Sequence, residues 1–433
     1  MAGKSYQRGA LKPTLGLFDA TAISIGAIVG AGIYVVTGIA ADLAGPALIV
    51  SMLLAAAISM LTAMSFAELT AWKPIEGSIY EYSYQLISPL AGFLTGWMWV
   101  ISNTFAGAAV SLGFASYLCT LFPTLPPNVV AAVFCFLFTV LNFLGMRQSA
   151  LLNNVLVAAK LSILGFFVIY GFLYMNPSNL APFNPFQMGV LSGAFYIFFA
   201  YGGFARVAVV AEEVKDARRN VPRAIMLSLT ISTVIYILVG FVAVGLVGAS
   251  KLAGSNSPLA EAIGVTGNAV AVYMVSAGGL IATASVLLTA ILGVSRMAFA
   301  MARRKDLPKA LSRLHPKYNT PYLSIWIAGA AMTLLVLFVD IARVVAISNF
   351  ALLFYYTLAN VSALRLKAHN RMYPKTAPFL GAISCITLLI FTLFTLPQAW
   401  ILGAATLAVG VVYFWLKNLK ARLLMRAMNS EKL

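Results

Sequence analysis

Charge is what this sequence has least of: Asp, Glu, Lys and Arg make up 9% of its 433 residues, while 61% are hydrophobic. A water-soluble chain carries about 25% charged residues, and its core could not take up this much apolar surface. Water is therefore excluded as the main solvent. Acidic side chains are scarcer still, 12 against 29 Lys and Arg. Histidine is nearly absent, and both copies, His315 and His369, sit among lysines and arginines in predicted loops, where a solvated side chain is expected rather than a metal ligand. Of three cysteines, Cys119 ends an apolar run and Cys135 and Cys385 lie inside others, which gives neither a disulfide framework nor a metal spacing. No nucleophile–base pair, carboxylate dyad or phosphate-binding loop is visible. A membrane-embedded enzyme would need paired His, Asp or Glu inside its spans, so no enzymatic activity, cofactor or metal is expected.

What the sequence has instead is apolar runs of about 20 residues, the length that crosses a hydrocarbon core of about 30 Å. They fall near residues 15 to 41, 47 to 71, 89 to 119, 127 to 146 and 150 to 173, then 190 to 210, 224 to 247, 269 to 294, 322 to 339 and 344 to 364, and finally 378 to 395 and 399 to 416. The first run carries Asp19 and a glycine cluster and leads straight into further spans, so it is expected to be a span and not a cleaved leader. The expected fold is all-α and integral to the membrane, with twelve transmembrane helices. Residues 1–14 form an N-terminal segment, 15–173 a first group of five helices, 190–364 a second group, 378–416 a final pair and 417–433 a C-terminal tail.

The net charge of +17 would suggest nucleic acid in a soluble protein, but its placement points to membrane topology and anionic lipid headgroups instead. With the N-terminus inside, 26 of the 29 Lys and Arg fall in inner segments, among them Arg147, the stretch from Arg206 to Arg223 and the cluster Arg303-Arg304-Lys305. Outer loops hold only Lys251 and Arg343. That asymmetry predicts an even number of crossings with both termini cytoplasmic. Trp72, Trp326, Trp400 and Trp415 fall near predicted span ends, where an amphipathic indole prefers the interface.

Inside the spans a few positions break the apolar pattern. The first contains Gly26-Ala27-Ile28-Val29-Gly30-Ala31-Gly32-Ile33, and each interior Gly costs a helix about 1 kcal/mol against Ala. One reading is close helix packing through small residues. The other is a broken helix, whose amides at Gly30, Ala31 and Gly32 would present the positive end of a half-helix dipole to a carboxylate. A second interruption, Phe198-Phe199-Ala200-Tyr201-Gly202-Gly203-Phe204, occupies the corresponding place in the second group of five. Paired breaks in equivalent spans are the sequence mark of a transporter built from inverted repeats. Lys160, about ten residues into the fifth span, is too deep to reach the interface, so it should face the bundle interior, either carrying function or tying carbonyls together. Asp19 and Glu68 lie nearer the cytoplasmic span ends, where water or a basic neighbour can satisfy them.

With these residues in view, the sequence resembles the amino acid/polyamine/organocation transporters, whose fold is shared with sodium-coupled leucine transporters. The likeness covers about residues 12 to 416. It is carried by Gly26 to Ile33, by Phe66-Ala67-Glu68-Leu69 with Pro74, Gly77, Tyr80 and Tyr82, and by Gly92 to Trp97. Further pieces are Phe198 to Phe204, Glu212 to Lys215, Val221 to Ile225, Leu307-Pro308 and Thr320-Pro321. The resemblance implies a five-plus-five inverted repeat followed by two C-terminal helices. It implies a substrate carboxylate at Gly30, Ala31 and Gly32 and a substrate amine at carbonyls of Ile28, Phe199, Ala200 and Gly202. It is particularly close to proton-coupled members with a lysine at the position of Lys160, for which Ser285 would be the nearest hydroxyl partner. Relatives often carry Asp after the Gly-Phe of the sixth span; here Gly203-Phe204 is followed by Ala205-Arg206, which argues against strongly cationic substrates. The expected function is secondary active transport of neutral amino acids together with protons, by alternating access. Exchange of one amino acid for another, or a membrane sensor that binds without flux, are the alternatives.

Overall fold

The computed structural model describes residues 13–75, 78–145, 150–367, 369 and 371–430. Gly77, Arg147 and nearly all of the N-terminal segment 1–14 lie outside the described residues. Among those described, no strand forms, and the only β-bridge joins Leu15 to Val214 in parallel. The helices in order are α1 (Leu17–Ile28), α2 (Thr37–Ala44), α3 (Leu48–Trp72), α4 (Ser78–Leu86), α5 (Pro89–Leu121), α6 (Pro127–Phe143) and α7 (Ala150–Phe172). There follow α8 (Met188–Tyr201), α9 (Arg206–Val209), α10 (Ala217–Val247), α11 (Ala249–Ala253), α12 (Pro258–Gly264) and α13 (Ala269–Arg303). The last are α14 (Tyr322–Phe338), α15 (Ile341–Leu364), α16 (Thr376–Thr395) and α17 (Pro397–Ser430).

Nine helical stretches among the described residues are long and apolar enough to cross a membrane. The first runs from Leu17 to Trp72 through α1, α2 and α3, while α6 and α14 are apolar but shorter. Several helices outrun their apolar stretch: α13 continues to Arg303 and α17 to Ser430, because polar and basic residues extend a helix once it leaves the hydrocarbon. Starts are fixed by ordinary caps. Ser88 Oγ accepts from Ala91 N at 3.1 Å before Pro89, Asn268 Oδ1 accepts from Val270 N at 3.0 Å, and Asp340 Oδ1 accepts from Arg343 N at 2.9 Å.

The bundle is inverted relative to a soluble protein only on its outside. Leu151 (73% exposed), Phe394 (78%) and Trp415 (69%) are among many large apolar side chains on the outer faces of α7, α16 and α17, an exterior suited to lipid. Inside, α5 lies along α13 and α15 and α3 along α8 and α10, with alanines and glycines interleaved among wholly buried tyrosines and phenylalanines. Several polar side chains inside pair across helices: Ser51 Oγ donates to the Val190 carbonyl at 2.7 Å, and Ser65 Oγ to Asn360 Oδ1 at 2.6 Å. Glu68, wholly buried, accepts from Met372 N at 3.0 Å and lies 3.8 Å from Arg371 Nη1. Asp19 accepts from Gly16 N at 3.0 Å and from Asn154 Nδ2 at 2.8 Å, joining α1 to α7.

Candidate functional site

The helix that begins as α1 stops at Ile28, Val29 turns extended (φ −76°, ψ 95°), and the chain re-enters helix through a π-helical stretch, Gly32–Val36, that runs into α2. The second interruption is of the same kind: α8 ends at Tyr201, residues 202–205 form turns, and α9 starts at Arg206. The two breaks cross with almost nothing between them. A Cβ on Gly32 would overlap the backbone of Ala200, and one on Gly203 would overlap the Ala27 carbonyl and the Ile28 amide. The packing and broken-helix readings of the glycines are therefore not rivals; the same hydrogens in place of side chains let two broken helices touch.

A break strands backbone groups. The last carbonyls of α1 have no intrahelical donor, and burial makes an unpaired carbonyl expensive. Two side chains from other helices answer this. Lys160 of α7, with no exposed surface, donates from Nζ to the carbonyls of Gly26 and Val29, both at 3.1 Å. Tyr236 of α10 donates its hydroxyl to the Ile28 carbonyl at 2.9 Å and lies 3.3 Å from that of Ala200, so it holds both breaks. Tyr356 of α15 donates to the Gly202 carbonyl at 3.1 Å.

Around the crossing lie two cavities. A small chamber of about 50 Å³ is lined by Ile28, Gly30, Ala31, Gly32, Phe199 and Gly202, with Ser102, Asn103, Ser348 and Tyr355 among the polar groups on its walls. Six of the seven residues expected to bind substrate thus meet in one space; Ala200 backs onto Gly32 instead, its carbonyl near Tyr236. A larger vestibule of about 220 Å³ extends toward Leu15, Glu213 and Arg296, and Gly26, Asn153 and Ser285 line it. Ser285 donates to the Ala282 carbonyl at 3.1 Å, and no hydrogen bond joins it to Lys160. On the far side of the chamber the helices are packed shut. Tyr117 donates to the Tyr34 carbonyl at 2.5 Å with the two rings edge to face, and Gly38 lies against the Leu252 and Ser255 carbonyls of the segment carrying α11 and α12.

Arg206 requires a correction. Read as the first of a group of inner-loop cations, it is instead partly buried at the start of α9, hydrogen-bonded through Nη1 to Thr289 Oγ1 of α13, and it lines both cavities. Its position directly after the second break was the available signal. Nothing comparable marked Tyr236, one of 18 tyrosines, in an unbroken apolar span.

A bundle of apolar helices with crossed breaks and a chamber between them defines a membrane permease. The amino acid permease family model matches residues 15–416. An uncharacterized transporter of Mycobacterium tuberculosis is 35% identical over 95% of this chain and 93% of its own length. The methylthioribose transporter of Bacillus subtilis is 33% identical over 96% of this chain and 95% of its own. The branched-chain amino acid permease BcaP of the same organism is 30% identical over 95% and 94%. The chain belongs to the amino acid permease family, within the amino acid/polyamine/organocation transporters. It is an integral, multi-pass membrane protein, and its relatives are transporters rather than enzymes.

Proposed function

We propose that this protein is a proton-coupled symporter of amino acids with neutral side chains, working by alternating access. The arrangement we infer is twelve spans, the first ten a five-plus-five inverted repeat, with both termini cytoplasmic and the vestibule opening to the cytoplasm. The substrate carboxylate meets the amides of Gly30, Ala31 and Gly32. Its ammonium meets the carbonyls of Ile28, Phe199, Ala200 and Gly202, where the hydroxyls of Tyr236 and Tyr356 must share or yield. Family membership and the printed name of the branched-chain permease support an amino acid substrate.

The observation that carries the coupling is the placement of Lys160 on two orphaned carbonyls of the first break, 3.1 Å from each. Charged, it holds the end of α1 against α7 through charge-assisted hydrogen bonds; neutral, its two remaining N–H donors hold those carbonyls more weakly, and the contact loosens. Removal from water disfavours the charged form of any amine, so proton binding and helix position are tied. Protons move the equilibrium between the two access states only to the extent that the amine's affinity differs between them. Gly26, whose carbonyl Lys160 holds, also lines the vestibule, which gives the proton a route.

Lys160→Met keeps much of the volume and cannot protonate. In proteoliposomes it should bind and exchange substrate but no longer concentrate it in response to an inward proton gradient. Accumulation equal to the parent's would make Lys160 structural and remove the coupling assignment.

A further inference from the structure

The chamber and the vestibule share two lining residues, Ala27 and Arg206. Ala27 offers a methyl group and backbone. Arg206 offers a guanidinium, hydrogen-bonded to Thr289 of α13, where the two cavities meet. Its five N–H donors have one side-chain acceptor there, a neutral hydroxyl. Among the described residues that line the chamber there is no carboxylate; the vestibule holds Glu213, and with it a second guanidinium, Arg296. The second buried cation of the region, Lys160, is bound to carbonyls and likewise has no carboxylate partner. Among the described residues, neither Arg206 nor Lys160 forms a salt bridge with a carboxylate.

We propose that Arg206 is the charge filter of this transporter: amino acids with uncharged side chains pass it, and those with cationic side chains are turned back. This rests on the amino acid transport proposed above and assigns its selectivity to a residue. The α-ammonium is offset by the α-carboxylate of the same zwitterion, so the charge that Arg206 discriminates is that of the side chain. Two like charges about 6 Å apart at an effective dielectric of about 20 disfavour the cation by about 100-fold.

The test uses amino acid pairs of equal shape that differ only in side-chain charge: norvaline with 2,4-diaminobutyrate, and norleucine with ornithine. Binding to the full-length protein is measured by competition against whichever natural amino acid gives the largest thermal shift. The parent should prefer the neutral member of each pair by about 100-fold. Arg206→Gln should bring the two members within about tenfold, and Arg206→Lys, which keeps the charge, should retain most of the preference. Arg206→Met replaces the Gln variant if that does not fold. Equal affinities within the pairs for the parent would overturn the inference alone, with no variant needed, and so would an unchanged preference in the Gln or Met variant. Failure of all natural amino acids to bind would overturn the transport reading, and this inference with it.

Discussion

At Gly203 the α-carbon stands against the Ala27 carbonyl and the Ile28 amide, leaving no room for a methyl group. Gly165, midway along α7, has open space within 4 Å of where a Cβ would be. The pair separates a contact effect from a helix-propensity effect. Gly203→Ala should destabilise by about 1–3 kcal/mol through overpacking and weaken ligand binding, because the two breaks are pushed apart. Gly165→Ala should be neutral or stabilise by up to about 1 kcal/mol. Thermal unfolding in detergent with a saturable ligand measures both, and equal melting temperatures for the two variants would deny that the crossing is tight. At this scale the sequence was legible where chemistry is unusual for its surroundings. Glycines and a lysine stand out in an apolar run, but Tyr236 does not, since a tyrosine among leucines is ordinary until its hydroxyl is seen between two broken helices.

Elements are held at the basic end of the bundle by a cluster that joins α4, the end of α13 and α17. Asp306, almost wholly buried, accepts from Tyr80 Oη at 2.5 Å and pairs with Lys417 at 2.5 Å. Arg304 pairs with Glu81, and its guanidinium lies 3.8 Å from the centre of the Tyr84 ring. Burial, with the hydrogen bond and charge of Asp306 adding to it, holds the Tyr80 phenol far above its ordinary range, so it stays a donor at any physiological pH. Asp306→Asn leaves Lys417 without a counter-charge and should cost about 1–3 kcal/mol, with faster amide exchange in α4 and in α17 around residue 417. The exposed pair of Arg343 and Asp340 gives the contrast: Arg343→Gln should shift stability by less than about 1 kcal/mol. Equal effects would mean that the cluster is no tie between helices. The cations of this cluster were legible as a topology signal, but their pairing was not. Hydropathy locates an apolar run and says nothing of which loop its charged end will meet; α4, α11 and α12 lie in just such loops.

For the whole molecule the asymmetry between an open vestibule and a packed opposite face is the feature with the widest consequence. Inverted repeats can rock between two arrangements around a fixed site, and a structure holding one of them has the other as its alternative. The side reached by Leu292 and Arg296 is the open one; the side of Val35, wholly buried against Gly113, and of Tyr34 and Tyr117 is shut. In the orientation proposed above, the first of these faces the cytoplasm. Both points are checked together by introducing a thiol at Leu292 or Val35 in a background carrying Cys119→Ser, the other native cysteines being buried. A membrane-impermeant maleimide should label Leu292→Cys in inside-out vesicles and leave it unlabelled in right-side-out ones. Val35→Cys should resist labelling in both while no substrate is present. Since a ligand shifts the two states only by its differential affinity, adding substrate with an imposed proton gradient should slow labelling at 292, and in the Lys160→Met variant the gradient should add nothing to the effect of substrate alone. Labelling of Leu292→Cys from the outer face would reverse the orientation, and prompt labelling of Val35→Cys there would mean that the shut arrangement is not the resting one.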